Sequence, residues 1–167
     1  MCPEQFAVIM DYTGDTYDDF LQYANTHQKV LTLIKIAEAL SQIHDKNIIH
    51  NDLKTNNVTV TLQEDQPTVH IIDFGKAKIR GTFKHNKHPF RRYWEAPEFT
   101  DGDFTSPESD TYSFGQLVKL VATLTHNPVV QEGLQTIVDM TTSRSPLHRA
   151  SLPEVVRVMN EFLPIAN

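Results

Sequence analysis

The stretch from Asp110 to Thr125, DTYSFGQLVKLVATLT, is apolar almost all round. A helix with no polar face cannot lie on a surface; other elements have to enclose it. Candidates for that enclosing layer are present. From Asn25 or Thr26, either of which can cap a helix, to His44, the residues Val30, Leu33, Ile34, Ala37, Leu40 and Ile43 recur at helical spacing. LQTIVDM (134–140) and LPEVVRVMNEFL (152–163) predict two more amphipathic helices, the second with Pro153 in a tolerated first-turn position. Residues 15–25 predict a short helix.

The β content is small. FAVIM (6–10) reads as a buried strand and DYTGD as a turn pivoting on Gly14. VTVTL (58–62) and TVHIIDF (68–74) read as a hairpin joined by the polar QEDQP. Residues 75–108, with three prolines and three of the six glycines, read as irregular. The fold class implied is α+β, mainly helical. At 167 residues and 40% apolar composition the chain suits a single domain. Without an apolar run of membrane-spanning length or a leader-like start, it reads as soluble and intracellular, cytoplasmic or nuclear and not secreted. Cys2, the only cysteine, excludes an internal disulfide and argues against a thiolate metal site.

The net charge of −6 argues against general nucleic-acid binding, but the charge is uneven. Residues 76–92, KAKIRGTFKHNKHPFRR, hold seven of the fifteen Lys and Arg and no acid. That run is either a solvated loop or a segment that meets phosphate or an acidic partner. His85 and His88 have ligand-like spacing, yet loop histidines are usually solvated.

The chemistry concentrates in IIHNDLKTNNVTV (48–60) and HIIDFG (70–75). A loop carboxylate, Asp52, can accept a proton or orient a hydroxyl. Lys54 can offset developing anionic charge. An asparagine oxygen, Asn57, and a second carboxylate, Asp73, suit Mg²⁺, a hard ion that takes oxygen ligands and keeps waters. The hairpin places Asn57 and Asp73 at the same end. NVT at 57–59 matches a glycosylation acceptor, but it falls inside that metal site and is rejected.

HNDLKTNN resembles the catalytic loop of eukaryotic protein kinases, and DFG matches their metal-binding motif. WEAPE (94–98) is similar to the end of their activation segment, SDTYSFG (109–115) to the start of their central helix, and RASLPEVV (149–156) to the segment that closes the domain. The resemblance covers the chain as one kinase-like domain, 1–167, and is to the larger, C-terminal lobe only. Residues 1–14 would be the last small-lobe strand and the hinge, and 15–167 the C-lobe.

The resemblance implies ATP and Mg²⁺ as cofactors, and site roles residue by residue. Met10 would be the gatekeeper, the backbone of Asp11 to Thr13 would face the adenine, and Thr59 would lie beneath it. Asp52 would orient the substrate hydroxyl, Lys54 would sit by the transferred phosphoryl group, and Asn57 and Asp73 would hold the metal. Lysine two residues after the Asp fits the serine/threonine type. Glu98 should pair with Arg149, Asp110 should hold the catalytic-loop backbone, and His50 and Phe74 should stack in the core.

Some features depart from the pattern. The Gly-rich loop, the ATP-gripping lysine and its helix glutamate have no counterpart in these residues. Asn51 stands in place of the arginine that meets a phosphorylated activation loop, and Thr59 in place of a leucine. Only HNPVVQEG separates the central helix from the next, where the family places another helix. The expected function is phosphoryl transfer from ATP to a protein Ser/Thr hydroxyl, weak or absent in these 167 residues alone. The alternative is a non-catalytic lobe that binds a true kinase or its substrate as a decoy. Expected partners are a protein substrate or partner kinase, and ATP if binding is retained, with no membrane and no nucleic acid.

Overall fold

A computed structural model describes residues 11–82, 92–101 and 105–166, without the side chains of residues 100 and 101. The strand expected at 6–10, Met10, Cys2, His85, His88 and most of the basic run lie outside the described residues.

The helix demanded by the apolar stretch is α4 (Pro107–Thr123), opened by Ser106 with Pro107 in its first turn. Phe114, Val118 and Val121 in it have no exposed surface. It packs on α5 (Pro128–Thr141) and α2 (Thr26–Asp45). At Gly115 a Cβ would collide with the Thr141 hydroxyl of α5, so the close crossing requires glycine there. α2 also carries β4 (Gln66–Ile71) and α6 (Leu152–Phe162) against it. Its N-terminus is a capping box of Asn25 and Gln28, and Val30, Leu33, Ile34, Ala37 and Leu40 fill its buried stripe as the spacing predicts. The short helix expected early is α1 (Tyr17–Tyr23), capped by Thr16. None of the described helices is long and apolar enough to cross a membrane.

The hairpin pairs β3 (Val58–Gln63) with β4 in antiparallel register, from Val58 opposite Ile71 to Gln63 opposite Gln66. Its turn is only Glu64–Asp65, both left-handed at φ 50° and 63°, rather than all of QEDQP. Two positive-φ residues give a turn whose twist matches the strands. β4 stops at Ile71 rather than Phe74 because Asp73 turns to φ 62°. A two-residue strand, β1 (Asp15–Thr16), pairs with the other edge of β3. Gly14 leads into it at φ 109°, and a Cβ there would collide with the Val60 carbonyl.

The region read as irregular holds more order than expected. β5 (Lys78–Ile79) pairs with β2 (Ile48–Ile49), and α3 (Glu98–Asp101) follows. The connector HNPVVQEG is shorter than it reads. Asn127 accepts from the amides of Val129 and Val130, at 3.0 and 3.3 Å, and Pro128 opens α5, so only residues 124–127 link the helices.

Two buried ionic contacts hold the layers. Arg149 donates to both Glu98 carboxylate oxygens, at 2.6 and 2.8 Å, and also to the carbonyls of Glu108 and Ser143. Asp110 ties α4 to the loop after β2 and is described with the site. For Glu98–Arg149, breaking one side of a fork-to-fork pair leaves a buried charge uncompensated. Arg149→Met is therefore expected to cost about 3–5 kcal/mol in denaturant unfolding. Adding Glu98→Gln should recover part of that loss, and a double variant as unstable as the sum would show that the charges do not couple.

Candidate active site around Asp52

The loop His50–Asn57 leaves β2 and enters β3, and a single carboxylate shapes its start. Asp110, fully buried in the first turn of α4, accepts from the amides of His50 at 2.7 Å and Asn51 at 2.8 Å. His44 Nε2 lies 2.9 Å from the same carboxylate. Asn51 takes φ 64°, a left-handed turn that Asn tolerates better than most residues. Its Nδ2 donates to the carbonyls of Ile49 and Lys76. The turn sends Asp52 across the site, buried at 3% exposure.

Both oxygens of Asp52 are engaged. Oδ1 lies 2.9 Å from Lys76 Nζ and accepts from the Trp94 indole N–H at 3.1 Å. Oδ2 lies 3.2 Å from Lys54 Nζ and 3.4 Å from Asn57 Nδ2, which also donates to the Asp52 carbonyl at 2.9 Å. Trp94 is itself held, since Ser113 of α4 donates to its carbonyl at 2.7 Å. Lys54 Nζ and the Arg92 guanidinium each lie 5.5 Å from the Trp94 ring, within cation–π range.

Asn57 and Asp73 are brought to one end of the hairpin, as their positions in the sequence imply. The Ile72 amide donates to the Asn57 carbonyl at 2.9 Å, and Asp73 is the next residue. Asp73 is exposed, and one of its carboxylate oxygens accepts from the Gly75 amide at 3.2 Å. His50 is buried and donates through Nε2 to the Ile72 carbonyl at 2.9 Å. Phe74 meets the His50 ring edge-on, with centroids 5.1 Å apart, but is 45% exposed. The expected stacking in the core is thus an edge contact at its rim, because the positive φ of Asp73 swings the next residue outward. At the hinge, Thr59 donates to the Thr13 hydroxyl at 2.7 Å, while Asp11 and Tyr12 are exposed.

Lys76 and Trp94 are the contacts that motif reading misses. Lys76 stands only as part of a basic run, and Trp94 only as a letter in WEAPE; both reach Asp52 through the fold.

The mainly helical α+β architecture is of the kinase type, and comparison of the sequence agrees. The family model of the protein kinase domain matches residues 2–162, and the chain belongs to that family. It is 38% identical over 92 residues to a Raf homolog serine/threonine-protein kinase of Caenorhabditis elegans, covering 50% of this chain and 11% of the relative. It is 28% identical over 121 residues to serine/threonine-protein kinase STY46 of Arabidopsis thaliana, covering 68% and 20%. A seven transmembrane domain-containing tyrosine-protein kinase of Dictyostelium discoideum is 28% identical over 163 residues, covering 80% and 23%. The chain thus spans less than a quarter of the length of each of these relatives.

Burial pushes the Asp52 carboxyl up, but hydrogen bonds from Lys76, Trp94 and Lys54 and the Lys76 charge outweigh it and hold the group below its ordinary value. A carboxyl depressed in the fold stabilises it fully above the unfolded value of about 3.9. That contribution is lost as pH falls through the lower, folded value. Thermal melts across the acid range should therefore show a steeper loss of stability for the native chain than for Asp52→Asn, and parallel curves would rule the charge network out.

Proposed function

We propose that this site transfers the γ-phosphoryl group of ATP to a serine or threonine hydroxyl of a protein. The observation that carries the reading is the meeting of Asp52, Lys54 and Asn57 on a loop whose amides are pinned by Asp110. Phosphoryl transfer asks a protein mainly for positioning and charge stabilisation. Asp52 accepts the substrate hydroxyl's hydrogen bond and takes its proton. The hydroxyl oxygen bonds to the γ-phosphorus as the bond to the β,γ-bridging oxygen breaks, leaving ADP. Lys54 offsets charge on the group in transfer. The relatives named as serine/threonine kinases support the choice of acceptor.

The oxygen donors fit magnesium. Asn57 spends its Nδ2 on Asp52, which directs its amide oxygen away from that residue, and Asp73 offers a solvent-facing carboxylate. Among the described residues no three His, Cys, Asp or Glu side chains cluster as a metal cage. An ion with one carboxylate and one amide from the protein takes its remaining ligands from phosphate and water, the usual magnesium arrangement. Bound there, Mg²⁺ supplies charge neutralisation on the phosphates. On the side proposed to face adenine, the Thr59 hydroxyl is satisfied by Thr13 and so places no unpaired polar group under the base.

A second reading, a non-catalytic lobe that binds a kinase or its substrate, draws on the occupied Asp52: a hydroxyl finds neither oxygen free in this arrangement. Titration calorimetry with ATP and Mg²⁺ separates the readings. Asp73 faces water, where a charge contact is worth several-fold less than in a dry cleft. These 167 residues should therefore bind weaker than micromolar, with the heat abolished by Asp73→Asn. Heat that survives Asp73→Asn would refute the ligand assignment. Absence of nucleotide-dependent heat, with a kinase recovered in pull-down, would favour the second reading.

A further inference from the structure

We propose that the Asp52 site selects a protein segment with an acidic side chain beside the acceptor hydroxyl, and that this side chain draws Lys76 away from Asp52. The acceptor part of this rests on the function proposed above; the preference for acid rests on the charges alone. Among the described residues, three cations converge on a single carboxylate, that of Asp52. Lys76 and Lys54 approach the two oxygens of Asp52, and Arg92 lies over the ring of Trp94, whose N–H bonds the same carboxylate. The other nearby acids do not cancel them. Glu95 is buried and spends a carboxylate oxygen on the Arg92 amide at 3.1 Å, and Asp73 is turned to Gly75 at the hairpin end. Lys78 and Arg80, both exposed, extend the positive surface along and just past β5. All this sits in a chain of net charge −6, so the sign at the site is opposite to that of the whole molecule.

Lys76 is the movable member. Its side chain is 45% exposed, against 24% for Lys54, and its backbone stays tethered because Asn51 donates to its carbonyl. Exposed ion pairs are weak and exchange partners readily. An acidic residue on the incoming segment can take the Lys76 ammonium and free its position on Oδ1 for the hydroxyl, beside the Trp94 N–H, while Arg92 meets a second acid. A neutral or basic segment leaves Lys76 in place and the carboxylate occupied. The same lysine therefore attracts one class of segment and blocks the others.

Trp94 is the only tryptophan in the chain, and it touches the carboxylate and two of the cations, so its fluorescence reports binding without catalysis. The experiment titrates tryptophan-free serine peptides flanked by glutamate, alanine or lysine into the full chain, with circular dichroism confirming that each variant is folded. The glutamate peptide should bind roughly tenfold tighter than the alanine peptide, as two exposed ion pairs allow. Lys76→Met and Arg92→Ala should each shrink that preference, Lys76→Glu should shift it toward the lysine peptide, and Arg157→Ala on α6 should leave it intact. Equal affinities for the three peptides would overturn the proposal. So would a preference untouched by Lys76→Met, or a single-stranded oligonucleotide of equal charge binding as tightly as the glutamate peptide. Because no step needs ATP, a failure of phosphoryl transfer would sink the proposed function and leave this result standing.

Discussion

The site depends on one buried carboxylate. Asp110 has no exposed surface, yet it accepts from two consecutive loop amides and lies against His44. A carboxylate in the first turn of a helix is favoured by the amides that point out of it. The same placement aims it at the loop, so α4, a largely buried helix, becomes the reference for the loop residues. Orphaned amides at His50 and Asn51 would each carry a desolvation cost, and the left-handed turn at Asn51 would keep only its side-chain bonds. Position is thereby passed from the core to Asp52, then through Asn57 to the hairpin, and through the Ile72 amide to the segment bearing Asp73.

Much of this can be read in one dimension, and the reason is local chemistry. Asp52, Lys54 and Asn57 lie within six residues, where polar groups at short spacing between apolar runs have few roles. The stripe of α2 follows from its period, and its cap at Asn25 is one of the two residues that the sequence offers. The resemblance, rather than the spacing, supplies Glu98–Arg149 and the loop-holding role of Asp110. The elements that escape are those set by conformation or by distance along the chain. Glu64–Asp65 is not a residue pair that announces a two-residue turn, so the hairpin reads too loose. The resemblance puts Phe74 in the core, but a single positive φ before it turns it to the surface. The bond from Trp94 to Asp52 spans 42 residues, and no local pattern encodes it.

The environment of Asp52 shows two opposed effects on one group. Burial alone would favour a neutral acid, whereas the two ammonium groups and the indole N–H favour the anion and prevail. The outcome is a carboxylate that stays charged but is fully partnered. The role proposed for Asp52, orienting a hydroxyl, needs the charge and needs one acceptor position released. The contacts differ in how easily they yield. The Asn57 bonds are buried and Trp94 is fastened to α4 through Ser113, whereas Lys76 holds on from the exposed side. Release thus falls most readily on Lys76, which is more open to solvent than Lys54.

Asn51 explains why that release need not disorder the segment. Where the family pattern has an arginine, this chain has a neutral amide with its Nδ2 on the carbonyls of Ile49 and Lys76. An arginine there leaves a charge that a phosphate can satisfy, so the segment's order can be made conditional on modification. A neutral amide donates to the backbone regardless of charge state, and β2–β5 pairing continues the same tether, with Ile49 opposite Lys78. The backbone at Lys76 is therefore held by hydrogen bonds that neither phosphate nor salt controls, while its ammonium remains free to change partners. Separating a fixed main chain from a movable charge is what allows one residue to bound the site and also guard its carboxylate.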